Sequence, residues 1–451
     1  MSNPARSGSA PAAKYGFYTA IAIIIANMIG TGVFTSLGFQ LAEIKSGFAI
    51  LMLWAAGGLA ALCGAMSYAE LGAALPRSGG EYNFLTRIYH PAAGFVSGWV
   101  SATIGFAAPV ALAAITFAAY MASVIGESAP HGFRQGLACA LVIAMALIHG
   151  GRRSASGGMQ KIFTLIKVLI IAGFCGAAIF LIDAPQSISL LPASGDGAII
   201  ASSAFAVSLI YVSYAFQGWN AATYLSGEIE NPQRNLPLIL GIGTGLVMIL
   251  YMALNAAFLK AAPVEALVGR VEIGFIAAQA VFGEHIADAT GLVMASLLIS
   301  TVSAMTIAGP RVLQMIGQDF SIFSRLAKVN RDGIPSTAIY FQSAIALVFI
   351  LTSSFDSILV FAGFALALNT FFAVLGVFIL RWREPDLERP YKTFAYPLTP
   401  AIYLALTGWT LVYVFIQRPM EALFGLLLIA CGLGFYFLSK SLSEPSGPAA
   451  G

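Results

Sequence analysis

Charge is scarce in this chain: of 451 residues only 10% are Asp, Glu, Lys or Arg, while 59% are hydrophobic. No soluble globular core of this length could hide that much apolar surface, so a water-soluble fold is excluded. Cysteine and histidine are also sparse, with four of each. Cys63, Cys139, Cys175 and Cys431 fall inside apolar runs without metal-ligand spacing and read as small core residues; His90, His131, His149 and His285 are scattered near the ends of such runs. Neither a disulfide framework, a metal site nor a cofactor is expected. HExxH, GxSxG and paired carboxylates within an apolar run are all missing, which argues against an intramembrane enzyme. A basic patch with interleaved aromatics is missing too, so no nucleic-acid partner is expected.

What the chain does have is apolar runs of membrane-spanning length. They recur at 17–40, 47–75, 91–125, 133–149, 158–182, 198–227, 236–260, 286–316, 336–352, 356–380, 396–416 and 421–439. A span needs about 20 residues, so the reading is an all-α polytopic membrane protein with about twelve transmembrane helices. The run at 91–125 is too long for one upright helix and is read as a tilted helix with interfacial turns. Lysine and arginine set the orientation. Of the 23, only Lys45, Arg134, Lys260, Arg270 and Arg418 fall on one side, and Lys167 lies within a span. The basic side is cytoplasmic and carries both termini, as in a multi-pass protein of a cell (inner) membrane. Residues 1–13 and 441–451, rich in Ala, Ser, Pro and Gly, read as disordered tails. No cleavable signal is read, because the first apolar run is far longer than a signal h-region.

Two runs are interrupted. Ile29-Gly30-Thr31-Gly32-Val33-Phe34 places two glycines around a threonine in the middle of the first span. Each glycine weakens a helix by about 1 kcal/mol relative to alanine, and a broken backbone persists at membrane depth only where protein or a polar cavity surrounds it. A half-helix beginning there aims unpaired N–H groups at an anion such as a carboxylate. Five spans later, Tyr214-Ala215-Phe216-Gln217-Gly218-Trp219-Asn220 carries glutamine, glycine and asparagine at membrane depth. Glycine kinks in tightly packed helices are the alternative for either break alone. Because five is odd, matched breaks imply an inverted repeat, in which discontinuous helices mark a transporter's binding site.

These residues resemble the L-type amino acid transporter family of the amino acid/polyamine/organocation superfamily. The match rests on IGTGVF at 29–34, SYAELGAALPRSGGEYNF at 67–84, YAFQGWNAATYLSGEIENPQRNLP at 214–237 and RWREPDLERPYK at 381–392, and it covers nearly the whole chain. The resemblance implies a LeuT-type five-plus-five inverted repeat: 14–183 as the first repeat, 198–380 as the second, and two further helices over 394–440. It implies amino acid exchange, usually without sodium. Carried over residue by residue, it puts the substrate carboxylate on the amides around Gly30, Thr31 and Gly32. The amine goes to carbonyls of Met28, Tyr214, Ala215 and Gln217, beside Ile29. Tyr214 aligns with an aromatic gate, although an aromatic at such a position also serves as plain core, and Asn220 would organise the unwound segment.

Lys167 lies about 9 Å deeper along its helix than Lys161, too deep to reach the surface easily, and an intramembrane lysine is costly enough to be a functional candidate. The resemblance sets it where sodium-coupled relatives bind a metal ion, donating to carbonyls near Gly30 and to Thr301, with Ser300 or Ser303 as alternatives. A lysine facing a water-filled vestibule is the other reading. Glu70, beside Arg77, with Glu228 and Glu230, reads as cytoplasmic ion-pairing groups, with Arg311 and Arg325 as conceivable partners.

No Asp or Glu lies near the middle of the first, third, sixth, eighth or tenth span, so a cationic substrate side chain would meet no buried counter-charge. That favours small or medium neutral L-amino acids, with Gln217 narrowing the distal pocket or bonding a polar substrate. Animal members of the resembled family attach through a cysteine after the third span to a single-span glycoprotein; residues 127–134 hold none, so no disulfide-linked heavy chain is expected. Proton-coupled symport is the alternative mode, and a non-transporting sensor or subunit with the same fold is the alternative class.

Overall fold

The computed structural model describes residues 16–75, 77, 79–126, 130–151, 157–182, 185–224 and 229–443. Arg6, Lys14, Arg152, Arg153, Glu228 and the tail over 1–13 lie outside the described residues, as does nearly all of 441–451. Among the described residues the spans are built from helices. The first half comprises α1 (Phe17–Met28), α2 (Gly32–Glu43), α3 (Gly47–Ala74), α4 (Glu81–Ile88), α5 (Pro91–Val100), α6 (Ala107–Ile125), α7 (His131–Gly151) and α8 (Gly157–Leu181). After the short α9 (Asp196–Ile200) come α10 (Ser203–Ala215), α11 (Ala221–Tyr224), α12 (Pro232–Ala261), α13 (Val264–Leu267), α14 (Ile273–Phe282), α15 (Glu284–Asp319), α16 (Ser324–Ala327), α17 (Ser336–Thr352) and α18 (Phe355–Arg383). The chain ends in α19 (Leu398–Gln417) and α20 (Pro419–Ser443).

Among the described residues, nine helices are long and apolar enough to cross a membrane. The fifth, sixth and ninth expected spans appear as the shorter apolar stretches Leu165–Ala178, Ser203–Ala215 and Ser336–Thr352. The sixth is short because its span breaks at Ala215.

Both interruptions read from the sequence are real breaks. Span one stops at Met28 and resumes at Gly32. Span six stops at Ala215, turns through Gly218 at φ +104°, a left-handed conformation that favours glycine, and resumes at Ala221. The breaks fit each other reciprocally. A Cβ on Gly32 would fall 2.5 Å from Ala215 Cα, and one on Gly218 would fall 2.8 Å from the backbone of Asn27. Glycine is thus demanded at both crossings by the approach of the opposite backbone. The third span differs from expectation: it is one long rod with a π-helical turn, Ser101–Gly105, joining α5 to α6. Such a turn accommodates an extra residue inside an otherwise apolar helix.

The cysteines divide. Cys63 is buried, whereas Cys431 is exposed on α20, so the expectation of a core residue fails there. The outer surface of the bundle carries many large exposed apolar side chains, among them Leu169, Ile249 and Phe424, as a lipid-facing surface would.

Candidate functional site

Between the two breaks lies a cavity of about 180 Å³. Met28, Gly30, Thr31 and Gly32 line it from the first span, and Tyr214, Ala215, Gln217 and Asn220 from the sixth. Thr301 lines it from α15. Ile29 and Lys167 stand behind this wall. α2 starts at Gly32, so the amides of its first turn have no carbonyl four residues back in the same helix; that of Phe34 donates to the Thr31 carbonyl at 3.0 Å, and Gly32 itself lines the cavity. Thr31, only 5% exposed, precedes that turn. The opposite charge is met by the ends of α1 and α10, where carbonyls emerge from broken helices.

Tyr251 of α12 modifies this picture. Its hydroxyl lies 2.6 Å from the Met28 carbonyl oxygen and 3.2 Å from that of Ala215, and donates between them. Two of the four carbonyls assigned to a substrate amine therefore already receive a donor; the Met28 oxygen also accepts from the Gly30 amide at 2.8 Å, which fills it and withdraws the Gly30 N–H from the amides expected to hold the carboxylate, whereas the Ala215 oxygen keeps a second lone pair. The ring is held edge-on by Trp54, centroids 5.6 Å apart, and packs against Phe216 at 5.0 Å. A tyrosine in a long apolar helix carries no sign of this role in sequence. Of the other carbonyls, that of Tyr214 accepts from the Gln217 amide at 3.0 Å.

The Lys167 ammonium is buried and points at the first break. Nζ lies 3.2 Å from the Ile29 carbonyl oxygen and 3.0 Å from Thr301 Oγ1, so it joins α8, the first break and α15. Ser303 is engaged elsewhere, with His149 Nε2 at 2.8 Å.

The rest of the wall was not read from the sequence. The π-helical turn brings Ser101 and Gly105, with Phe106 and Pro109 beyond it; Met305, Leu366, Asn369 and Thr370 come from α15 and α18. Glu81 lines the cavity as well. It begins α4 in a connection between spans, and corrects the expectation that no carboxylate lies near the site. Glu81 accepts from Asn220 Nδ2 and, at 3.0 Å, from the Tyr68 hydroxyl.

Each end of the bundle is tied. At the end poor in Lys and Arg, Phe39 stacks between Tyr211 and Phe355, centroids 6.0 and 5.4 Å away, and Asp356 accepts from the Tyr211 hydroxyl and, at 2.6 Å, from Arg418. At the basic end Glu70, 2% exposed, receives both Nε and Nη2 of Arg381 at 2.8 and 2.7 Å and the amide and hydroxyl of Thr393 at 2.7 and 2.6 Å. Its ion pairs are with Arg381 and Arg389 rather than with Arg77, Arg311 or Arg325. Arg87 and Glu384 form a second, bidentate pair at that end.

A family model described as amino acid permease matches residues 15–436. The chain is 27% identical over 435 residues to the b(0,+)-type amino acid transporter 1 of Mus musculus, spanning 94% of this chain and 87% of that protein. It is 28% identical to the Asc-type amino acid transporter 1 of Mus musculus, over 94% of this chain and 81% of that protein. The large neutral amino acids transporter small subunit 2 of Homo sapiens is 28% identical, over 94% of this chain and 80% of its own length.

Proposed function

This chain belongs to the amino acid permease family, and on that premise we propose that it exchanges small or medium neutral L-amino acids across a cell membrane, without sodium, by alternating access. The observation that carries the reading is the pair of broken spans meeting at one cavity, each supplying helix ends of opposite polarity. The substrate carboxylate sits on the amides of Thr31 and Gly32. Its ammonium meets carbonyls of the sixth-span break, with Ala215 offering the lone pair that Tyr251 leaves. Lys167 replaces a sodium ion: its fixed charge donates to Ile29 and Thr301 and holds the first break against α15. Tyr214, beside the cavity and one helical turn from Tyr211, covers the substrate from the outer side.

The basic end is cytoplasmic, with both termini there. Residues 14–183 and 198–380 are the two repeats, and 394–440 adds the last two spans. Residues 127–134 contain no cysteine, so a disulfide-linked subunit plays no part. The preference for an uncharged side chain rests on the middles of the first, third, sixth, eighth and tenth spans, which carry no Asp or Glu; the Glu81 carboxylate comes from the connection between the second and third spans and is held by Tyr68 and Asn220.

The test is uptake of labelled L-alanine, L-serine and L-leucine into liposomes containing only this protein. Internal unlabelled amino acid should stimulate uptake at least fivefold, and replacing sodium by choline should leave it unchanged. L-Alanine methyl ester, which lacks the carboxylate, should compete at least a hundredfold more weakly than L-alanine. A sodium requirement refutes the role given to Lys167, equal competition by the ester refutes the carboxylate site, and binding without flux makes the protein a sensor.

A further inference from the structure

Among the described residues of the cavity wall Glu81 is the carboxylate, and the transport reading leaves it without a task. It is the first residue of α4, an eight-residue helix in the connection between the second and third spans. Gly79 at φ +124° and Gly80 at φ +51° take left-handed conformations just before it. They turn the chain so that the carboxylate enters the bundle, where Glu81 is 2% exposed, while Arg87 on the same helix stays at the surface and pairs with Glu384. Inside, one oxygen, Oε1, accepts from two elements. Asn220 donates from the unwound part of the sixth span, and the Tyr68 hydroxyl donates from α3 at 3.0 Å. Tyr68 in turn packs edge-on against Trp219, centroids 4.7 Å apart, next to Asn220 in the chain.

Each of these two bonds joins the carboxylate to a neutral donor: it is charge-assisted and strong, yet parting it separates no opposite charges. Glu81 lines the cavity and begins the helix whose Arg87 pairs with Glu384 at the basic end. We propose that Glu81 is a latch: a positioning residue that, through Asn220, fixes the unwound segment of the sixth span and closes the cytoplasmic exit of the cavity, and that releases Asn220 when the cavity opens to that side. The proposal rests on the transport reading and on the orientation given above.

Two readouts test it on the full chain. The first is hydrogen–deuterium exchange over residues 216–224 in purified protein. Glu81→Ala should speed exchange there at least tenfold and leave residues 203–211 unchanged, whereas Glu81→Gln, which keeps an acceptor oxygen, should stay within threefold of wild type. The second compares turnover with equilibrium binding of labelled L-alanine: Glu81→Ala should lower turnover at least tenfold with affinity within threefold, and Glu81→Gln should restore most of the turnover. Unchanged exchange and turnover in Glu81→Ala overturns the latch. So does a Glu81→Gln variant as impaired as Glu81→Ala, because the charge would then act on substrate or proton rather than through Asn220. If Glu81→Ala does not fold, Tyr68→Phe removes one donor and should raise exchange over 216–224 about threefold; no rise overturns the proposal. A wild type that transports no amino acid defeats the transport reading, yet the exchange comparison still decides the latch.

Discussion

Lys167 shows what one buried charge can do. Its ammonium has two acceptors, one on the first break and one on α15, and among the described residues no other cation lines the site. Lys167→Ala leaves the Ile29 carbonyl and the Thr301 hydroxyl without that donor, at a cost of a few kcal/mol for a charge-assisted pair. Uptake turnover should fall at least tenfold while equilibrium substrate affinity changes less, and both should be the same with and without sodium. Unchanged turnover would return the lysine to a wet vestibule. Lys167 was legible because a lone cation deep in an apolar run is conspicuous. Tyr251 was not: its importance arises from carbonyls 223 and 36 residues away, and no local pattern announces such partners. Glu81 escaped for a related reason. It lies between spans, and only the turn at Gly79 and Gly80 brings it inside.

At the scale of elements, the glycines of the two breaks do different work, which substitution can separate. A Cβ on Gly30 meets nothing nearer than the Met28 carbonyl at 3.9 Å, whereas one on Gly32 meets Ala215 Cα at 2.5 Å. Gly30→Ala should therefore change thermal stability by under about 1 kcal/mol, while Gly32→Ala should cost about 1–3 kcal/mol by forcing the first and sixth spans apart. Equal melting temperatures for the two variants would show that the crossing is looser than the packing implies. The same geometry makes a larger residue at position 32 a poor probe of carboxylate binding, since it parts the helices as well. Both breaks could be read from sequence because glycine there stands beside polar residues at membrane depth, Thr31 in one and Gln217 and Asn220 in the other. The π-helical turn of the third span could not, since it adds a residue without interrupting the apolar run.

Over the whole molecule, alternating access requires that the two tied ends let go in turn. The distribution of lysine and arginine made the two ends legible, but their pairing was not. Glu70 and Arg381 are 311 residues apart in sequence, and the arginines proposed for Glu70 lie on other helices. The opposite end is the more informative one to perturb. There Asp356 joins the first half of the sixth span, through Tyr211, to Arg418 between the last two spans, and the stack of Phe39 with Tyr211 and Phe355 lies beneath the same groups. Glu421 lies 3.6 Å from Arg418 and shares that cation. Asp356→Asn keeps the size of the side chain and removes the charge, so Arg418 loses its closest ionic partner. The pair is partly exposed, and its ionic contribution is small, about 1 kcal/mol or less, so the fold should persist. A shift of that size is enough to alter a balance between two nearly isoenergetic states about fivefold. Asp356→Asn should therefore speed hydrogen–deuterium exchange over 203–215 and leave 216–224 protected. The shift should weaken as salt is raised in the wild type, because screening removes the same interaction. Equal exchange in both proteins would mean that the aromatic stack alone closes this end.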